Sequence, residues 1–108
     1  MLNIMNSKFE LKNCIFKNIL SDAFDGDFTN GKIINCKFET IGNDALDFSG
    51  SNIKIESCII IDVKDKGLSA GEASTMELNN LDIRKSAIAI SAKDKSIVFG
   101  NKINISGV

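Results

Sequence analysis

Cys14, Cys36 and Cys58 lie 22 residues apart, and each opens a similar phrase: Asn-Cys-Ile-Phe, Asn-Cys-Lys-Phe and Ser-Cys-Ile-Ile. A period a little over twenty residues is the length of one coil of a β-solenoid, in which each repeat stacks on the one before it. The recurrence extends beyond the cysteines. Leu11, Ile33, Ile55 and, with one inserted residue, Leu78 come three positions before the cysteine site, and Asn13, Asn35, Ser57 and Asn80 align with one another beside it. Phe16, Phe38, Ile60 and Ile83 follow two positions after it, and Phe24, Leu46, Leu68 and Ile90 recur further along. Each set predicts one vertical column of equivalent side chains. Ser21-Asp22, Asn43-Asp44 and Asp65-Lys66, each followed by a small residue, mark turns.

Within a coil the apolar residues alternate, as at Phe9 and Leu11, then break phase at Lys12-Asn13 before Cys14 and Phe16. A bend between two short strands produces such a break. Helical periodicity is nowhere sustained for three turns, so each coil is expected to hold three short strands. Proline is absent, which suits strands whose backbone donors are all needed by the neighbouring coil. Asn13, Asn35, Ser57 and Asn80 are placed to hydrogen-bond up and down one corner. The extra residue before the fourth coil belongs in a loop around Glu72 to Met76, and the glycines are expected to follow turns. Ile97 to Ile105 suits a further strand pair of ambiguous register. Residues 1–8 would fold over the first coil as a cap, with Met1, Leu2, Ile4 and Met5 giving apolar cover; the other end shows no cap. Bare ends of this kind imply either end-to-end association between copies or a larger parent protein.

The 108 residues support a single domain, 1–108, and 44% hydrophobic content suits a globular chain. A net charge of −1 and the absence of Tyr and Trp argue against a nucleic-acid partner. No apolar run approaches a membrane span and the start lacks a secretory core segment, which leaves a cytoplasmic protein or part of a longer extracellular one. With no histidine, the usual zinc and copper ligand sets are missing. The three cysteines are expected to stack as a buried thiol ladder, packing like small apolar groups, because parallel side chains point poorly for a disulfide.

Coils of this length with stacked Asn corners and apolar ladders resemble the right-handed parallel β-helix superfamily, the pectate-lyase-like fold. The resemblance runs from about Phe9 to the end and implies an all-β, right-handed solenoid of four to five coils; the handedness comes from the resemblance. The strings at 21–28, 42–51, 65–74 and 91–96 are similar to a repeat segment of larger bacterial proteins, some also carrying a spore-coat-kinase-like domain. An extracellular glycan is a further expected partner, after another copy or a neighbouring domain; known enzymes of the fold are usually at least twice as long, with loops that wall a cleft.

Polar residues concentrate in two registers, Asp25, Asp47, Ser69 and Ser91 in one and Asp22, Asp44 and Lys66 in the other. Asp27, Glu72, Lys93 and Asp94 fall at the following turn and could close the same patch. Carboxylates stacked about 4.8 Å apart repel unless a proton, a cation or a lysine intervenes. Three uses of the patch follow. It can be a solvated turn face with lysine counter-charges; it can hold a hard cation, calcium, through Asp25, Asp27 and Asp47; or Asp22, Asp25, Asp44 and Asp47 can act as acids in polysaccharide cleavage with Lys66 as charge partner. A lyase needs a basic proton abstractor, and Arg84 falls outside the patch, leaving Lys66 or Lys93. Phe16, Phe24 and Phe38 belong to core columns, whereas exposure of Phe28, Phe48 or Phe99 would provide a sugar platform. The expected function is a non-catalytic scaffold or interaction module that requires no cofactor, with a polysaccharide hydrolase or lyase as the alternative.

Overall fold

Three positions in every coil bend the backbone into the left-handed region, and these corners set the architecture. Asn6, Phe28, Gly50, Ala73 and Lys95 form one column, Asn13, Asn35, Ser57, Asn80 and Lys102 a second, and Asn18, Thr40, Asp62, Lys85 and Gly107 a third, with φ between 49° and 66°. One left-handed residue turns a strand sharply while the residues on both sides stay extended. Asn and Gly tolerate that conformation, but Phe28 and Thr40 carry a steric penalty there.

The computed structural model describes residues 1–108, all in strands and turns. The strands are β1 (Leu2–Met5), β2 (Lys8–Lys12), β3 (Ile15–Ile19), β4 (Phe24–Asp27), β5 (Asn30–Ile34), β6 (Lys37–Ile41), β7 (Leu46–Ser49), β8 (Asn52–Ala70), β9 (Thr75–Ala92) and β10 (Ile97–Ser106). Every pairing is parallel. Since β8 and β9 each run through bends without losing their pairing, they contribute to all three faces of a parallel β-solenoid of about five turns. The first face stacks β1, β4, β7 and the ends of β8 and β9; the second stacks β2, β5, the starts of β8 and β9, and β10; the third stacks β3, β6 and the remaining segments.

The expected columns hold. Leu11, Ile33, Ile55 and Leu78 are in register, as are Phe24, Leu46, Leu68 and Ile90. They belong to one continuous core that includes Phe24, Phe38 and Phe48, each fully buried. Phe16 stacks on Phe38 with ring centroids 5.0 Å apart, and Phe24 lies 5.3 Å from Phe48. Glycines inside strands, among them Gly26, Gly31 and Gly100, depart from the expectation that glycine follows turns. Gly26 lies inside β4 and Gly31 inside β5, where the rings of Phe48 and Phe9 fill the space a Cβ would need.

The residue after each left-handed corner points inward, so its chemistry matters. In the first corner it is a hydroxyl: Ser7, Thr29, Ser51, Ser74, Ser96. Ser51 Oγ accepts the Thr29 amide at 3.0 Å and donates to the Ser49 carbonyl at 2.9 Å. Ser74 and Ser96 accept the amides of Ser51 and Ser74 at 3.2 and 3.0 Å. In the second corner the residue is cysteine in the first three coils and Leu81 and Ile103 in the last two. Cys14, Cys36 and Cys58 direct their thiols at the carbonyls of Lys12, Ile34 and Glu56 at 3.3–3.4 Å, the same two-residue reach that Ser51 makes. All three thiols are free, as the ladder geometry requires. Burial pushes the Cys36 thiol up and Cys58 to about 11, so the inner two stay protonated. Alongside, the Asn35 amide donates to the Asn13 side chain at 2.6 Å and Asn80 to Ser57 at 3.4 Å.

Two irregularities offset each other. The pairing interval widens from 22 to 23 residues at Asn52↔Thr75, which places the extra residue in the turn Gly71–Ser74, within the loop expected from sequence. It narrows again between Val63↔Ser86 and Lys66↔Ile88, where coil four has one residue fewer. The last coil takes a definite register, Ile97 on Thr75 and Ile103 on Leu81. Residues 1–8 do not form a lid over the first coil. Leu2–Met5 pairs with Phe24–Asp27 as a rung of the first face, and Lys8 already belongs to β2, because Leu2 and Ile4 alternate with the same period as the strand beneath them.

Candidate functional site

The acidic residues meet on the first face and its leading corner. Asn3, Asp25, Asp47, Ser69 and Ser91 form one outward column. Inward neighbours Phe24 and Leu46 are fully buried, so strand alternation turns Asp25 and Asp47 out. Asp22, Asp44 and Lys66 form a second column in the turn that feeds this face. Asp22 Oδ1 accepts the Asp44 amide at 2.9 Å, and Asp44 Oδ1 accepts the Lys66 amide at 3.1 Å. Each carboxylate thereby closes the corner of the next coil.

Single carboxylate oxygens of Asp22, Asp44 and Asp47 lie within 4.8 Å of one another, with Asp44 buried. That triad differs from the set Asp25, Asp27 and Asp47 considered from sequence. Asp25 instead takes a hydrogen bond from the Asn3 amide at 3.3 Å, and Asp27 lies further along β4 at the trailing corner. Glu72 and Asp94 line a separate depression with Ala73 and Lys95 at the turns of later coils.

Crowding shows in the acids' protonation. Burial, then repulsion from Asp27 and Asp22, raises Asp25 above the ordinary carboxylate range. Burial, then Asp25 and Asp22, raises Asp47, partly offset by a hydrogen bond from Ser69. Burial raises Asp44 against the opposing pull of the Lys66 amide and ammonium. Lys66 Nζ sits 3.0 Å from Asp65 and 4.0 Å from Asp44, and its pKa is raised first by the Asp65 bond. A lysine held this firmly in its charged form is a counter-ion and a poor proton abstractor. Arg84 pairs with Asp82 at 2.6 Å on the third face, away from the acids.

The largest depression lies elsewhere. A shallow groove of about 450 Å³ crosses the second face, lined by Glu10, Lys32, Lys54, Glu77 and Phe99 from one outward column and Asn30, Asn52 and Thr75 beside it. Of the three phenylalanines whose placement the sequence left open, Phe48 is buried, whereas Phe99 is 49% and Phe28 66% exposed, the Phe28 ring lying over Gly50. Sequence reasoning missed this groove. Its residues share the same interval as the core columns, and that recurrence was the available signal.

No protein-family model, curated protein or solved structure matches this chain. The class is therefore defined by the fold itself: a parallel β-solenoid with flat, ladder-lined faces.

Proposed function

We propose that the chain is a non-catalytic solenoid scaffold or interaction module whose faces present fixed rows of side chains to a partner. The carrying observation is that Asp22 and Asp44, central to any catalytic use of the patch, already accept backbone amides of the next coil at 2.9 and 3.1 Å. An acid that closes a corner cannot move to substrate without opening it. Nor does a wall enclose the patch, since the turns around it are short and the largest groove lies on another face. Affiliation with the pectate-lyase-like β-helices of bacterial proteins, with right-handed winding, is part of this reading and rests on the coil length and Asn corners.

The partner consistent with the second face is a glycan. Exposed Phe99 offers a flat apolar ring, and Asn30, Asn52, Lys32 and Lys54 offer donors at the spacing of the coils. Incubation with neutral and uronate polysaccharides tests the whole proposal by two readouts. Reducing ends and unsaturated products are expected to stay at buffer level, while affinity electrophoresis through the same polysaccharides is expected to show retardation that Phe99→Ala abolishes. Turnover that disappears in Asp25→Asn/Asp47→Asn would overturn the scaffold reading in favour of a hydrolase or lyase.

A further inference from the structure

Lys32 and Lys54 occupy neighbouring rungs of one outward column on the second face, Lys32 on β5 and Lys54 on β8. Strands one coil apart lie about 4.8 Å from each other, and like charges held opposite across that gap destabilise a sheet. No other column of the solenoid stacks two lysines. On the third face, by contrast, Lys17 and Lys37 both reach Glu39 at 3.3 Å. The acids placed to serve Lys32 and Lys54 do not do so. Glu10, one rung before, pairs with Lys12 at 3.1 Å, and Glu77, one rung beyond, makes no ion pair. Both ammoniums therefore stand unpaired along the groove of about 450 Å³.

Two exposed amides stand beside them. Asn30 and Asn52 lie two residues before the lysines in the adjoining outward column, again one on the other. Their carboxamides bond to no protein group, whereas those of Asn35 and Asn80 are spent on the corner ladder. Paired coils on both sides hold this array at fixed intervals, about 4.8 Å across the strands and about 6.6 Å along them. Lys8, unpaired one rung before Asn30, offsets Glu77 and leaves the array with two net positive charges.

We infer that Lys32, Lys54, Asn30 and Asn52 bind the phosphate monoester of a phosphorylated sugar chain. This rests on the glycan reading of the second face and specifies the substituent that the glycan carries. Charge selects the group. A phosphate monoester carries about −1.5 to −2 at pH 7 and presents three strong acceptor oxygens, which match two ammoniums and the amide donors beside them. A sulfate ester or a uronate carries a single charge and leaves one ammonium unmatched. Position selects an isolated substituent over a polymer charged at every residue. Glu10 and Glu77 bracket the lysines, so the next anion of such a polymer would face a carboxylate. Neutral hydroxyls suit Glu77, because a carboxylate only accepts hydrogen bonds. Phe99 stands two rungs beyond Lys54, about 9.6 Å along the axis, where its exposed ring can carry the sugar next to the phosphorylated one.

Amide-shift titration of the full chain by nuclear magnetic resonance, at constant ionic strength, compares trehalose 6-phosphate, inorganic phosphate and glucuronate. Trehalose 6-phosphate is expected to shift the amides of residues 30–32 and 52–54 and to bind about fivefold tighter than glucuronate. It is also expected to bind tighter than inorganic phosphate, by a margin that Phe99→Ala erases. Lys32→Ala/Lys54→Ala should weaken the sugar phosphate about tenfold, while Lys93→Ala/Lys102→Ala, which removes two exposed lysines of other columns, should change nothing. Circular dichroism melts establish that each variant folds. Three results overturn the inference: equal affinity for trehalose 6-phosphate and glucuronate, binding that survives Lys32→Ala/Lys54→Ala, or inorganic phosphate bound as tightly as the sugar phosphate. Electrophoresis through neutral polysaccharides decides the glycan reading separately, since stacking of a neutral sugar on Phe99 needs neither lysine.

Discussion

Replacing Ser86 by valine is expected to stabilise the protein, because Ser86 is a hydroxyl in an apolar column. It follows Ile41 and Val63 at the third corner, is 5% exposed, and its Oγ has no hydrogen-bond partner. A buried hydroxyl without a partner costs about 1–3 kcal/mol. Valine removes that cost and adds apolar burial worth roughly 0.8 kcal/mol per carbon, opposed by crowding where coil four is one residue short. The expected net gain of about 1–2 kcal/mol corresponds to a rise in Tm of roughly 4–10 °C for a chain of this length. Ser86→Ala separates the contributions, since it deletes the hydroxyl and adds no volume; it should still melt above wild type. Far-ultraviolet circular dichroism against temperature and urea reads both variants. If both melt below wild type, the hydroxyl has a stabilising partner and the reasoning fails.

The raised acids predict pH dependence of a definite sign. Because Asp25, Asp44 and Asp47 bind protons more tightly folded than at their ordinary value of 3.8, their contribution is full below that value and is lost as pH rises through the raised folded values. Asp47→Asn should therefore raise Tm at pH 7 and weaken the gain seen on acidification to pH 5; a lower Tm at pH 7 would show that the charge is stabilising. Gly31→Ala should cost about 1–3 kcal/mol by overpacking against the Phe9 ring, with a matching fall in urea midpoint, and an unchanged midpoint would contradict the ring's placement. In a timed alkylation at pH 8, Cys14 should react first and Cys58 last, as exposure and the raised Cys58 pKa demand; mass spectrometry of the peptides would expose any other order. Chelation of divalent ions should leave Tm unchanged, since backbone amides already hold Asp22 and Asp44. A clear drop would point instead to calcium at the acidic triad.

The winding was legible because columns of identical character recur at one interval, and a buried column tolerates few substitutes. The pairing of Asp25 with Asp47 and of Asp44 with Asp22 followed from the same interval. Which acids converge did not, since that depends on side chains approaching from two registers across a corner. The left-handed residues were only partly visible. Asn13 and Asn35 advertise the conformation, but Phe28, Thr40 and Lys85 adopt it through the stacking of neighbouring coils, against their own preference. The hydroxyl ladder escaped notice because serine and threonine also suit ordinary turns.

The extra residue at Gly71–Ser74, withdrawn again only past the third corner of that coil, says where this architecture can change length. Along a flat stretch a single insertion would turn every following side chain inside out. At a bend it merely deepens the curve, and a later bend can restore the original interval. Diversity in such a protein is therefore confined to its edges, while its flanks stay locked to a common metre.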